Sequence, residues 1–303
     1  MTARARGYIA VTLAACLWGL AGTAAKYLFA DLSVPPFLLV QMRMGLAFVV
    51  LLITLAITAP HLLRIRSADA GFLAVWGVVG MAGVQFTYLF TIAKTNVATA
   101  IFLQYLSPIL TALYAWLAGQ RPGKLLLLCL GGATLGLFLL ISGGGGNLLV
   151  SPIGLASGLA SAFFMSFYTI YGARGVNRLS PWPLLCYALG FGTALWLLID
   201  GGLLLSGRSV PGLSLLHSGV LWGFFAYMAI LATIVPFGLY LIGLKSISPT
   251  QANLTGMLEP VVGGVAAYLV LGEALRPIQL LGGTFIVVAV LLLQYRERRA
   301  TEA

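Results

Sequence analysis

Charge is what this sequence lacks most. Charged residues make up 8% of the 303, with seven acids in the whole chain, whereas a soluble domain is about one quarter charged. That scarcity, joined to 60% hydrophobic residues and a mean hydropathy of +1.03, excludes a cytoplasmic enzyme, a nucleic-acid-binding module and a sensor with an extramembrane output domain. Histidine is nearly missing too, since the chain holds only His61 and His217, both at loops or span ends. No HExxH sequence and no facing pair of acids is present, and the glycine run 143–146 lacks the Lys and Ser/Thr of a phosphate loop. The expectation is therefore no enzyme, no catalytic residue, no metal, no cofactor and no drive from ATP. Cys16, Cys129 and Cys186 lie inside apolar runs without CxxC spacing and read as small core residues.

Apolar length is what the chain has instead. Breaks of charge, Pro or Gly divide it into ten apolar runs, 8–30, 35–59, 71–92, 96–118, 124–142, 153–173, 182–205, 219–242, 248–271 and 277–294. A bilayer span takes about 20 such residues, so the sequence predicts an all-α integral membrane protein of ten transmembrane helices. The run from Tyr8 to Ala30 follows Arg4 and Arg6, but it is too long for the core of a signal peptide and contains Trp18 and Lys26, so it is read as the first span.

Orientation follows from the cations. With the N-terminus in the cytoplasm, the inner segments hold Arg4, Arg6, Arg64, Arg66, Arg121, Lys124, Arg174, Arg178, Lys245, Arg296, Arg298 and Arg299, twelve of the 17 Lys and Arg. Lys94, Arg208 and Arg276 fall outside, and Lys26 and Arg43 within spans. Both termini are thus expected in the cytoplasm of a cell membrane, a bacterial inner membrane, and the +10 charge marks topology and contact with anionic lipid, with no nucleic acid as partner.

The chain repeats itself. KTNVATAIFLQYLSP, from Lys94 to Pro108, returns half a chain length later as KSISPTQANLTGMLEP, from Lys245 to Pro260. Each copy runs on to Ala118-Gly119-Gln120-Arg121 or Leu271-Gly272-Glu273-Ala274, then to Leu130-Gly131-Gly132 or Leu281-Gly282-Gly283. Residues 1–147 and 148–303 are read as two copies of a five-span unit. Five is odd, so the second enters the membrane from the opposite side, an inverted repeat of the kind that places a site at the midplane of secondary transporters.

Polar groups inside spans are costly when they face lipid, so a stripe of them marks an inward face. Asn96, Thr99, Gln104, Ser107 and Thr111 form such a stripe on the fourth span, and Ser248, Gln251, Thr255 and Glu259 on the ninth, with Ser107 equivalent to Glu259. The first span adds Thr12, Gly19, Gly22, Thr23 and Lys26, the sixth Ser157, Ser161, Tyr168 and Tyr171. The competing reading is that such groups only join helices. Trp18, Gln85, Tyr88, Tyr105, Phe163 and Tyr168 bring rings and amides to the same spans and suit a small amphipathic solute, whereas Tyr8, Trp182 and Tyr295 sit at span ends as interfacial anchors. The substrate-binding set is Trp18, Gln85, Tyr88, Gln104, Tyr105, Ser107, Phe163, Tyr168, Thr255 and Glu259.

Glu259 is the one acid near the middle of a span, with Arg43 and Lys26 as its candidate partners. It is either a coupling acid that carries a proton or a fixed tie between helices, and we adopt the tie, since export down a gradient needs no coupling ion. Pro108, Pro236 and Pro260 interrupt spans and read as hinges. Gly132 with Gly136, and Gly282 with Gly283, permit close packing within the chain, which is expected to be a monomer or weak homodimer.

Two five-span halves, Trp18-Gly19 in the first span, Arg43 in the second, a Pro in the fourth span of each half and a Gly-Gly in the fifth resemble the EamA-type transporters of the drug/metabolite transporter superfamily, in particular the ten-span branch that exports amino acids, including aromatic ones. Gln120 stands where that family has Glu, while the second half keeps Glu273. The resemblance implies a cavity lined by spans one, three, four, six, eight and nine, and export of a small metabolite by alternating access. A drug or nucleotide-sugar carrier is the alternative within transport; a lipid-modifying enzyme and a scaffold subunit are the alternatives outside it.

Tags at residue 1, in the 60–70 connection and at residue 303 should all be reachable only from the cytoplasm. A 60–70 tag reached from outside would overturn the inverted repeat.

Overall fold

In the computed structural model, the structure describes residues 2–30, 32–143, 151–271 and 276–302, and among them there is no strand. Residues 144–147 of the glycine-rich connection and Glu273 lie outside the described residues. Apart from two short 3₁₀ turns, ten helical segments follow one another: α1 (Ala3–Ala30), α2 (Pro36–Thr58), α3 (Ser67–Lys94), α4 (Val97–Leu117), α5 (Lys124–Ser142), α6 (Pro152–Gly175), α7 (Pro181–Leu205), α8 (Gly219–Leu244), α9 (Pro249–Gly256 with Leu258–Leu271) and α10 (Pro277–Glu302). Among the described residues nine helices, all but α9, are long and apolar enough to cross a membrane. Their starts are chemically marked. Pro stands in the first turn of α2, α6, α7 and α9, where its missing N–H leaves no bond unmade.

The helix ends differ from the apolar runs where polar residues continue a helix. α1 reaches back to Ala3, α3 begins at Ser67, and α10 continues through its charged end to Glu302, since Arg, Glu and Ala are good helix formers whether or not they meet lipid. The runs 96–118 and 248–271 are the two that Pro108 and Pro260 are expected to interrupt. Each is broken: α4 at Tyr105–Leu106 and α9 at Met257. In both, Pro sits in the first turn of the second piece, Pro108 after one break and Pro260 after the other.

The outside of the bundle is apolar and the inside is not. Leu205, Ile57, Leu117 and Leu198 are among the most exposed side chains, as a lipid solvent requires. Buried residues include Gln41, Arg43, Gln85, Thr99, Ser107, Thr169, Asn253 and Thr255. Packing crosses between the halves of the sequence: α1 lies against α8 and α9, α6 against α3 and α4, α2 against α7 and α8, and α5 against α10.

The α5–α10 pair is the tightest approach. A Cβ on Gly136 would lie 2.6 Å from the Gly282 carbonyl oxygen, and one on Gly282 would lie 2.5 Å from that of Gly136. These two glycines let the backbones touch within one chain. Gly132, by contrast, has nothing within 4 Å of such a Cβ, and neither does Gly131. Gly282→Ala should therefore lower stability by about 1–3 kcal/mol through overpacking, seen as an earlier thermal melt of the purified protein. Gly131→Ala, which meets open space inside a helix, should melt no earlier than the parent.

Candidate functional site

The site begins with two distortions of the helical ladder. Residues Trp76–Ala82 of α3 and Ile230–Ile234 of α8 are wound as π-helix, at equivalent places in the two halves of the repeat. In α8 the turn is followed by Pro236, which has no N–H to give the carbonyl of Ala232. That carbonyl instead accepts a hydrogen bond from Arg43 Nη2 at 2.9 Å, while Arg43 Nε donates to Thr233 Oγ1 at 3.0 Å. Thr233 passes its own proton to the Met228 carbonyl at 2.8 Å.

Beside this contact lies a cavity of about 80 Å³. Trp18, Ala21, Gly22 and Ala25 line it from α1, Arg43 from α2, Val84, Gln85, Tyr88, Leu89 and Ile92 from α3, and Val97, Gln104 and Tyr105 from α4. Met165 of α6, Met228 and Phe237 of α8 and Glu259 of α9 complete the wall. The residues from α1, α3 and α4 come from the halves of those helices nearest the 94–97 connection. Toward the other end the bundle is filled. Trp76 stacks on Tyr168 with centroids 4.9 Å apart, and the Asn253 side-chain oxygen accepts from Tyr240 Oη at 2.6 Å and from Thr169 Oγ1 at 3.0 Å.

Six of the expected binding residues meet at this cavity: Trp18, Gln85, Tyr88, Gln104, Tyr105 and Glu259. Trp18 stands edge-on to Phe237 at 4.9 Å, and Gln104 accepts from Ser161 Oγ at 2.7 Å. Four lie elsewhere. Phe163 is 57% exposed on the outer face, because α6 presents only one side to the bundle. Tyr168 is fully buried behind Phe237, 5.5 Å between rings, and held by Trp76. Ser107 is buried just past the α4 break, and Thr255 donates to the Gln251 carbonyl at 2.8 Å. The outer members of the two polar stripes are helix caps: Asn96 accepts from Thr99 N at 2.8 Å, and Ser248 and Gln251 form a capping box.

The expected tie from Arg43 to Glu259 is not formed in this structure. Both side chains reach the cavity, but among the described residues no ion pair within 4 Å joins them, because the Pro236-freed carbonyl holds the guanidinium. Glu259 Oε2 accepts from Tyr105 Oη at 2.6 Å. The side chain of Lys26 lies outside the described residues. Of the three prolines read as hinges, Pro108 and Pro260 follow true breaks, whereas Pro236 follows a π turn in a continuous helix.

Sequence reasoning missed Phe237, Met228, Met165, Trp76, Tyr240 and Asn253. One signal was available for Phe237, which directly follows the residue that takes the place of Gln85 when the two halves are aligned on Lys94 and Lys245. Another was Pro236, whose missing proton points four residues back to Ala232.

The chain matches the EamA-like transporter family over residues 5–142 and again over 152–295. It is 32% identical, over 98% of each chain, to YicL of Salmonella typhimurium, an uncharacterized inner membrane transporter. It is 27% identical to the threonine/homoserine exporter RhtA of Escherichia coli, across 88% of this chain and 83% of that one. A crystal structure 21% identical in sequence matches 97% of this chain and 98% of its own with a TM-score of 0.79, and has the same fold.

In a background without the three cysteines, Gln85→Cys and Gln104→Cys should react with an impermeant maleimide from the side of the 94–97 connection. Thr255→Cys, shielded in the packed half, should resist it from that side. Equal labelling of all three would mean that the cavity does not end where the packed layer begins.

Proposed function

The chain belongs to the EamA-like transporter family, and from that footing we propose that it exports small metabolites, amino acids first among them, by alternating access between two inverted five-helix halves. Its apolar helices and its likeness to an inner membrane transporter make it a multi-pass protein of the bacterial inner membrane. The observation that carries the transport reading is a cavity walled by seven of the ten helices and stopped at one end by packed aromatic and amide side chains. A cavity stopped at one end by packed side chains is what one state of a carrier requires.

Several features support the inverted halves, 1–147 and 148–303. The family matches twice, once in each half. The break in α4 and the break in α9, and the π turns in α3 and α8, fall at corresponding places. Packing obeys the same exchange: α1 meets α8 and α9 as α6 meets α3 and α4. Two related halves supply two related states, in which the roles of α1 with α3 and α4 and of α6 with α8 and α9 are traded. With both termini in the cytoplasm, the present cavity faces outward and the Tyr240–Asn253–Thr169 knot closes the inner side.

The preference for amino acids rests on the likeness to RhtA, a threonine/homoserine exporter, and on the cavity itself. Trp18 and Phe237 offer apolar surface, Gln85 and Gln104 amides.

Counterflow in proteoliposomes tests the reading. Vesicles loaded with unlabelled threonine, homoserine or an aromatic amino acid should accumulate the labelled solute faster than empty ones. Trp18→Ala should slow this exchange, with about 1–3 kcal/mol of binding lost to the missing ring. Exchange of other metabolites with no response to any amino acid would overturn the substrate class.

A further inference from the structure

Arg43 is 8% exposed and carries its charge into the bundle, yet its two hydrogen bonds go to a hydroxyl and a carbonyl and none to a carboxylate. Those bonds use Nε and one Nη2 proton. Three of the five guanidinium donors are left for the cavity that the side chain lines. Across the same cavity Glu259 receives one hydrogen bond, from Tyr105 to Oε2. Among the described residues no protein donor reaches Oε1. Gln85, 3% exposed, lines the cavity with a side-chain oxygen that has no hydrogen-bond partner.

A cation and an anion held apart across a low-dielectric cavity compensate each other only at a distance, and each is stabilised further by a ligand group of the opposite sign in direct contact. One ligand answers both when it carries both charges on neighbouring atoms. From this juxtaposition we infer that Arg43 and Glu259 are the two poles of a zwitterion site, Arg43 taking the α-carboxylate of an amino acid and Glu259, helped by the free oxygen of Gln85, its α-ammonium.

The side chain of such a ligand would then rest against Trp18 and Phe237. The Arg43 anchor is built to stay: Nη2 is fixed by the carbonyl that Pro236 cannot serve, so the guanidinium presents its remaining edge without reorganising. Tyr105 plays the matching role for Glu259, taking Oε2 and leaving Oε1 for the ligand. The inference rests on the amino-acid reading above and adds that both backbone charges of the solute are required.

Binding to the purified full chain in lipid nanodiscs tests it, with threonine and phenylalanine as probes. Each is compared with its methyl ester, which lacks the carboxylate charge, and with its desamino analogue, 3-hydroxybutyrate or 3-phenylpropionate, which lacks the ammonium. The parent protein should bind at least one of the amino acids and bind that one's two analogues about tenfold more weakly or worse, the worth of a charge-assisted hydrogen bond. Arg43→Gln should erase the preference over the ester while keeping that over the desamino acid, and Glu259→Gln should do the reverse. Should either variant fail to fold, the analogue series on the parent protein still decides. An amino acid bound no better than its analogues overturns the two-pole site and leaves the amino-acid reading standing. Binding of neither amino acid overturns both.

Discussion

A helix inside a bilayer cannot leave a carbonyl unanswered, because no water is there to answer it. Pro236 creates such a carbonyl at Ala232, and Arg43 fills it from α2. Much of the middle layer depends on that one contact. It pins α2 to α8 and fixes a guanidinium at the cavity wall. It also keeps Arg43 from closing onto Glu259, so that Tyr105 becomes the partner of the acid. Two opposite charges in one small space would otherwise collapse into a pair and fill the cavity they line.

The position of Glu259 is set equally by what α1 does not carry. A Cβ on Gly19 would lie 2.6 Å from the Glu259 carbonyl oxygen and 2.9 Å from the Gly263 amide nitrogen. Without a side chain there, α1 settles onto α9 at the level of the helix break, and Trp18, one residue earlier, is delivered to the cavity. The ring of Trp18 reaches Phe237 and Tyr240, and through Tyr240 the packed knot at Asn253. Cavity wall and closed end are thus one continuous set of contacts.

Much of this was readable in advance, for physical reasons that differ by residue. Hydropathy and cation bias are properties of whole segments, so the apolar helices emerge from composition with little loss. The duplicated Pro108 and Pro260 located both interruptions, though each helix breaks slightly before its proline, because Pro is accommodated in a first turn and the chain must bend ahead of it. Burial by type was harder. Phe163 and Tyr168 both belong to α6 and look alike in sequence, yet one faces outward and the other is sealed behind Phe237. Only packing decides between them. Arg43 and Glu259 form the natural pair for a reader of charges. Geometry separates them through a hydrogen bond to backbone, an acceptor that no count of side-chain charges includes.

The Gly136–Gly282 contact has a consequence of another kind. α5 and α10 give no residue to the cavity, and their backbones touch, so neither can slide along the other without collision. On the alternating-access reading proposed above, the helices that line the cavity are the moving parts, and such a pair is the frame. It also separates two sorts of inheritance. Leu127, Leu128, Leu135 and Leu291 on the outer faces of the pair need satisfy only lipid. A lineage that changed its solute would rewrite residues on the seven helices that line the cavity and leave the frame untouched.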